Sequence, residues 1–338
     1  MKPAAMLALS GALVMSATIA TAAEHELKLI PSNTHTGSFD GRNKPVLRIA
    51  SGDTVTVEAL VPFGMDRLLA AGASEAEIPE SLKAMDKYMK EKGLYGGTLT
   101  GPIFVEGAQT GDMLEVQILP GFEFLHPFGW TGFRGRGTLP DDFPYTRYKL
   151  YRIDVASGTI QFSPRITIKT SPFWGTIGVA PSVESRAIPN GVPGSHAGNL
   201  DFKELVAGTS LYIPVHVPGA LLSIGDGHAV QGDGEINGGA LETSLRGKVR
   251  VVLHKGKFIK WPRAETPTHF ITMGLNPDLD EAARMAVREM IDYLVAEKGL
   301  TRDDAYNLCS QAVDLRVTQL VDGTKGIHAM IAKSIFRE

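Results

Sequence analysis

The feature that most constrains this chain is its punctuation. Glycine and proline occur 37 and 20 times in 338 residues. Between them lie short segments whose apolar residues alternate, as in strands with one buried face. Residues 45–61 (PVLRIASGDTVTVEALV) alternate on both sides of the turn Ser51, Gly52, Asp53. Residues 110–119 repeat the scheme, with Thr110, Gly111 and Asp112 as the turn before MLEVQIL. Further strands are expected at 148–155, 159–169, 209–217, 219–224 and 248–254. The pattern predicts a mainly β fold with minor α, of β-sandwich or barrel-like architecture.

Helical periodicity is confined to a few places. Residues 79–92 open on Pro79 and stop before Gly93. Residues 278–298 carry Ala283, Val287, Met290, Ile291 and Leu294 on one face and end at Gly299. Thr301 and Asp304 give a capping pattern ahead of a helix expected over 301–322. These last two predict a C-terminal helical hairpin packed on a sheet, and 326–336 reads as a final strand. No repeat and no linker divides residues 24–338, so they are expected to form one domain.

The first 23 residues stand apart. Lys2 precedes an apolar run from Ala4 to Val14, then small residues up to Ala23. This is the layout of a signal peptide, with Ala20, Thr21 and Ala22 as a cleavage site. The run is too short and interrupted to span a membrane. A periplasmic or secreted protein, free of the membrane after signal removal, is the expectation. With one cysteine, Cys309, no internal disulfide can form. Its helix-like surroundings (Ala305, Leu308, Ala312) make it a buried structural thiol. A net charge of −3 with scattered Lys and Arg argues against nucleic acid as a partner.

Serine and cysteine nucleophiles find little support, because there is no G-x-S-x-G elbow and the only thiol lies on a helix face. GDGHAVQGDGE also lacks the pattern of a phosphate loop. What the sequence offers is acids and histidines in glycine-rich turns. Residues 225–239 hold Asp226, His228, Asp233 and Glu235, directly after the apolar segment ALLSI. In extended backbone, residues two apart face the same side. Asp226 and His228 can then present an oxygen and a nitrogen to one ion, and Asp233 and Glu235 two carboxylates. Such mixed ligation suits Zn²⁺ and similar divalent ions. The plainer reading is a solvated turn, since Asp beside Gly favours turns. Acids this close repel if buried, so the segment is either solvated or holds a cation.

Other candidates carry the same two readings. His35, in NTHTGSFDG, is a ligand or a packing histidine. Glu106, after the strand GPIFV, is a site residue or a solvated rim residue. His196, Asn199 and Asp201, in NGVPGSHAGNLD, are site residues or turn formers. Trp130 and Trp174 line a pocket or fill the core.

Over most of its length beyond the leader the chain resembles the acetamidase/formamidase family. The segments that carry the resemblance are SGDTVTVEA (51–59), GPIFVEGAQTGDMLEVQIL (101–119), GTIGVAPS (175–182), the long block from Gly198 to Thr243, and GIHAMIAKSIF (326–336). It implies a β-rich fold with a bound divalent metal, zinc or calcium, in a homo-oligomer. It also implies hydrolysis of short amides such as formamide and acetamide to the acid and ammonia. Asp226 and His228 match the family's G-D-x-H-A turn, Asp233 and Glu235 its G-D-G-E, and Glu106 and Asp112 its E-G-A-x-x-G-D. His35 matches a histidine near the mature start. The expectation is then that His35, Asp226 and His228 contact the metal. Glu106 and Glu235 serve as general base and acid, Asp233 orients them, and His196 and Asn199 hold the substrate's carbonyl or amide. The chemistry needs such groups: a metal polarises an unreactive carbonyl and brings the pKa of bound water toward about 7. A carboxylate moves the proton to the leaving nitrogen.

Two departures from the family pattern stand out. Ala197 replaces a usual glycine, and residues 63–96 are longer and more helical than expected, at a place that can reshape the pocket mouth. Export is also unusual for the family. These keep two rivals in play: a hydrolase or lyase of a larger substrate on the same scaffold, and a non-catalytic periplasmic metal-containing binding protein.

Overall fold

A computed structural model describes residues 22–337. The expected signal peptide therefore lies outside the described residues, except for its last two positions. Two large sheets take up most of the alternating segments. The first has nine strands in the order Glu24–Leu27, Thr54–Ala59, Leu245–His254, Met113–Phe124, Ser210–Pro214, Arg263–Glu265, His269–Asn276, Lys325–Ala332 and Val313–Gln319. The second has eleven strands, with Leu222–His228 at its centre. That strand pairs with Phe173–Gly178, with Thr98–Val105 through residues 222–225, and with Glu242–Thr243 through residues 227–228. The second sheet continues through Phe128–Arg134 and Thr146–Asp154.

The main core lies between the sheets. Val55, Val57, Val116, Leu211 and Val249 of the first sheet meet Ile103, Ile177, Leu222 and Ile224 of the second, all fully buried. Burying each such side chain contributes roughly 1.5–3 kcal/mol. The sheets do not close, so of the two architectures expected it is the sandwich that forms.

Four helices flank the sandwich. α1 (Gly64–Ala71) and α2 (Glu80–Glu91) occupy the 63–96 segment. They bury Leu68, Leu82, Met85 and Met89 against Phe128 and Trp130. α3 (Leu279–Lys298) and α4 (Arg302–Ala312) form the expected hairpin over His269–Asn276 and Lys325–Ala332. The Asp278 side chain caps α3 by accepting from Glu281 N, and Thr301 caps α4 by accepting from Asp304 N. The α3 contact is so close that a Cβ at Gly274 would lie 1.9 Å from the Ala282 carbonyl oxygen. Cys309 is buried in this hairpin core, as expected.

Two C-terminal boundaries differ from expectation. The last helix ends at Ala312 rather than 322, and Val313–Gln319 is a strand on the sheet edge. The sequence VDLRVTQ alternates apolar and polar residues from Val313 to Val317 and pairs Val313 with Ile331 and Val317 with Ile327. The final strand stops at Ala332, followed by a short 3₁₀ turn at Lys333–Ile335. Among the described residues, no helix is long and apolar enough to cross a membrane.

Candidate metal and catalytic centre

The pairing register brings scattered acids together. His228 stands directly across from Glu242, and Thr176 pairs with both Asn199 and Gly225, next to Asp226. Asp201 follows the strand Ala197–Asn199, and Glu235 lies in the loop after Leu222–His228. Asp322 arrives from the other sheet, on the turn before Lys325–Ala332. Five carboxyl groups and one imidazole thus form three overlapping sets: Asp201–Asp226–His228, His228–Glu235–Glu242 and Asp201–Glu235–Asp322. Within each set the ligand-type atoms lie within 4.8 Å of one another.

The backbone is bent to make this meeting possible. Asp201, Asp226 and Glu235 have φ of 45°, 62° and 47°. Left-handed backbone at such residues costs about 1 kcal/mol or more and persists where the surroundings over-determine it. Gly175 supplies the room. A Cβ there would lie 2.4 Å from Asp201 Oδ1, 2.7 Å from Asp226 Oδ2 and 2.8 Å from His228 Cε1.

Gln231 fixes the tautomer of His228. Its Nε2 donates to the Asp201 carbonyl at 2.7 Å, so its Oε1 faces His228 Nδ1 at 2.9 Å and accepts from Nδ1–H. The other ring nitrogen, Nε2, lies 3.2 Å from Glu242 Oε2, 3.3 Å from Asp226 Oδ1 and 3.8 Å from Asp201 Oδ1. A lone pair aimed at three carboxylates is repulsive, so a second proton or a cation must come between them. In the absence of a cation the proton wins. Burial alone would lower the pKa of His228, but Glu242 and Asp226 raise it well above the ordinary value. Burial raises Asp201, Glu235, Glu242 and Asp322, and carboxylate neighbours push Asp201 and Glu235 up further. Asp226 goes the other way: burial pushes it up, but His228 holds it below the usual carboxylate range.

A divalent cation fits this donor set. Asp201 Oδ1 and Glu242 Oε2 are buried without a hydrogen-bond partner. Among the described residues, no Lys or Arg forms an ion pair with any of the five acids. Asn199 braces two of them: its Nδ2 donates to Asp201 Oδ2 at 2.7 Å and to Asp322 Oδ2 at 3.1 Å. The Thr176 hydroxyl donates to Asn199 Oδ1 in turn.

The other candidates go elsewhere. Glu106 is on the surface, half-exposed and paired with Arg48 at 2.7 Å. Asp112 accepts from Lys255 Nζ at 2.6 Å and from the Gly256 and Gln109 amides, so it closes a turn. Asp233 pairs with Arg316 at 2.7 Å instead of sharing a side with Glu235. The extended geometry assumed for that pair fails, because Gly234 and Glu235 have φ of 86° and 47°. His35 reaches Ser223 Oγ at 3.0 Å and stands outside the three sets. Burial lowers its pKa to about 4 and keeps it neutral. His196 packs edge-on against Phe39, with neither ring nitrogen hydrogen-bonded and no place in the cavity wall. Trp174 is core, packed on Phe122.

The clustered acids also include Glu242 and Asp322, which no sequence motif singles out, and Asp201, whose loop fits a turn as well as a site. Glu242 had one usable signal, its place at the next strand after the acidic turn. Asp322 had none, because only the topology carries it across from the other sheet.

A cavity of about 550 Å³ opens above these groups. Thr176, Asn199, Asp226, Glu235, Glu242 and Asp322 line its floor. Phe63 and Arg67 of the 63–96 segment line it together with Trp130, Phe133 and Tyr148, so that segment contributes to the cavity wall.

Comparison with known proteins agrees with this arrangement. The model of the Acetamidase/Formamidase family matches residues 89–192 and 183–338. A formamidase of Methylophilus methylotrophus is 28% identical over 300 residues, covering 66% of this chain and 73% of that protein. An acetamidase of Mycolicibacterium smegmatis is 29% identical over 217 residues, covering 47% and 53%. Across the curated relatives, the chain spans between 47% and 73% of their length. The crystal structure of an acetamidase from Bacillus halodurans superposes with a TM-score of 0.79 at 32% identity, covering 93% of this chain and 98% of that one. By sequence and fold together, the chain belongs to the acetamidase/formamidase family.

Proposed function

We propose that the chain is an amidohydrolase that cleaves the C–N bond of a linear amide with the help of a divalent metal ion. The observation that carries this reading is the buried acid–histidine centre without a built-in cation, at the floor of an open cavity. Similarity to a formamidase and an acetamidase supports short amides as the substrate class. Water adds its oxygen to the acyl carbon and its proton to the leaving nitrogen, so the products are the acid and ammonia.

Asp201, Asp226, His228 and Glu242 would hold the ion, and their oxygen and nitrogen donors suit Zn²⁺ first and Ca²⁺ second. When bound, such an ion polarises the amide carbonyl and acidifies water. Glu235, buried yet lining the cavity, takes the proton from water and delivers it to the nitrogen. Asn199 and Thr176 keep Asp201 and Asp322 from swinging apart. His35, His196, Glu106 and Asp233 act on packing and surface charge rather than on the substrate. The Lys2-led apolar leader supports export to the periplasm or beyond, and the family resemblance supports a homo-oligomer.

The experiment is ammonia release from formamide and acetamide by protein stripped with a chelator and then reloaded with Zn²⁺ or Ca²⁺. Loss on stripping and recovery on reloading are expected. Full activity in the stripped protein removes the metal from the account.

A further inference from the structure

The same cavity is also lined by positive charge. Arg67 reaches it from α1, Arg134 from the end of the strand Phe128–Arg134, and Arg136 from the loop beyond. Among the described residues, none of the three forms an ion pair with a carboxylate. Arg48, Arg246, Arg263, Arg302 and Arg316 all do. Two of them, Arg67 and Arg134, lie on aromatic faces instead. Arg67 sits 4.7 Å from the Tyr148 ring centre and 5.1 Å from that of Phe63, and Arg134 sits 5.1 Å from that of Phe63. Stacking fixes the guanidinium plane and leaves its N–H edge available to a planar anion. Arg134 is held below its ordinary pKa first by burial, then by the charges of Arg136 and Arg67. Like charges gathered without a carboxylate partner are relieved by an incoming anion.

The arginines and the acids are also linked through the backbone. Thr138 N donates to the Ile236 carbonyl at 2.8 Å, which joins the arginine loop to the loop that carries Glu235. The cavity volume of about 550 Å³ also exceeds what an amide of one or two carbons fills. It falls within the roughly 300–1,000 Å³ of pockets that take much larger ligands.

We infer that the preferred substrate is a linear amide carrying a carboxylate at a distance from the amide group, with the arginines gripping the carboxylate and the acid-lined floor receiving the amide. This rests on the amidase reading above, which puts the reacting group at the floor. The reverse orientation would set the carboxylate against Asp226, Glu235 and Glu242 and leave the arginines facing a neutral group.

Succinamate and succinamide test this, because they share length and shape and differ in one negative charge. With metal-loaded protein, kcat/KM for succinamate should exceed that for succinamide by about tenfold or more, the worth of a charge-assisted contact. The double variant Arg67→Gln/Arg134→Gln should lose most of that ratio. Turnover of both amides at equal efficiency overturns the anionic preference and leaves the amidase reading standing. If neither is hydrolysed, nor acetamide, the amidase reading fails, and calorimetric binding decides the rest. Succinamate binding about tenfold tighter than succinamide, lost in the double variant, sustains the anion site. Equal or absent binding of the two overturns it.

Discussion

Asp233 and Glu235 are two residues apart in the chain and end in opposite electrostatic surroundings. Asp233 points outward to Arg316 at 2.7 Å and Lys203 at 3.6 Å, within a network that also includes Glu204. Its charge is balanced by the protein itself. Glu235 turns inward, to a buried group where Asp201, Asp226, Glu242 and Asp322 find one imidazole and no Lys or Arg among the described residues. The difference teaches that a density of acids does not mark a site. What marks it is a density of acids for which the fold has provided no cation.

The comparison is broken most directly by removing Glu235. Glu235→Gln should lower kcat by roughly 100- to 10,000-fold, as loss of a general acid–base does. The metal-free protein should melt at the same temperature or higher, since one of several repelling buried groups is gone. Near-normal ammonia release would take Glu235 out of the chemistry.

Buried histidines outside the centre sharpen the contrast, because they remain neutral. His126 stacks on Phe128 and reaches Ser244, and burial lowers its pKa from 6.5 to about 4. The unfolded chain therefore takes up a proton near pH 6.5 that the folded chain refuses until about pH 4. Stability from this group is present above the higher value and is lost as pH falls toward the lower one. Urea unfolding across that window should show a flatter pH slope in His126→Gln, by up to ~3 kcal/mol over the range. Parallel slopes would contradict it.

The smallest effect belongs to the balanced acid. Asp233→Asn breaks a partly exposed pair and should cost about 1 kcal/mol or less in denaturant unfolding. Its loss of turnover should be far smaller than that of Glu235→Gln. Equal losses would erase the distinction between the two carboxylates.

Much of the fold was legible in the residues themselves. Alternation located part of the strands but not Phe128–Arg134, Phe173–Gly178 or His269–Asn276, and Pro79, Gly93, Gly299 and Thr301 marked helix ends while α1 carried no such signal. The overrun past Ala312 has a physical cause: a cap announces where α4 starts, but no Gly or Pro announces its end. Of the candidate site, Asp226 and His228 were readable from their closeness in one segment, and their side chains do meet at 3.3 Å, though through a bend at Asp226 (φ 62°) and not through extended geometry. The same spacing does not bring Asp233 beside Glu235, because Gly234 and Glu235 turn the chain between them. Glu106 and Asp112 belong to a motif that builds a turn, and the sequence pattern of a turn does not differ from that of a site. Asp322 depends on two sheets coming face to face, which no local pattern encodes.

The central claim is that the buried centre takes its missing positive charge from a bound ion. Calorimetric titration of chelator-treated protein with Zn²⁺ measures this directly. Saturable binding is expected, with a heat that depends on the buffer because the ion displaces protons from His228 and its neighbours. Asp226→Asn should abolish or greatly weaken it, and Asp233→Asn should leave it intact. No binding, or equal binding in Asp226→Asn, would contradict the account.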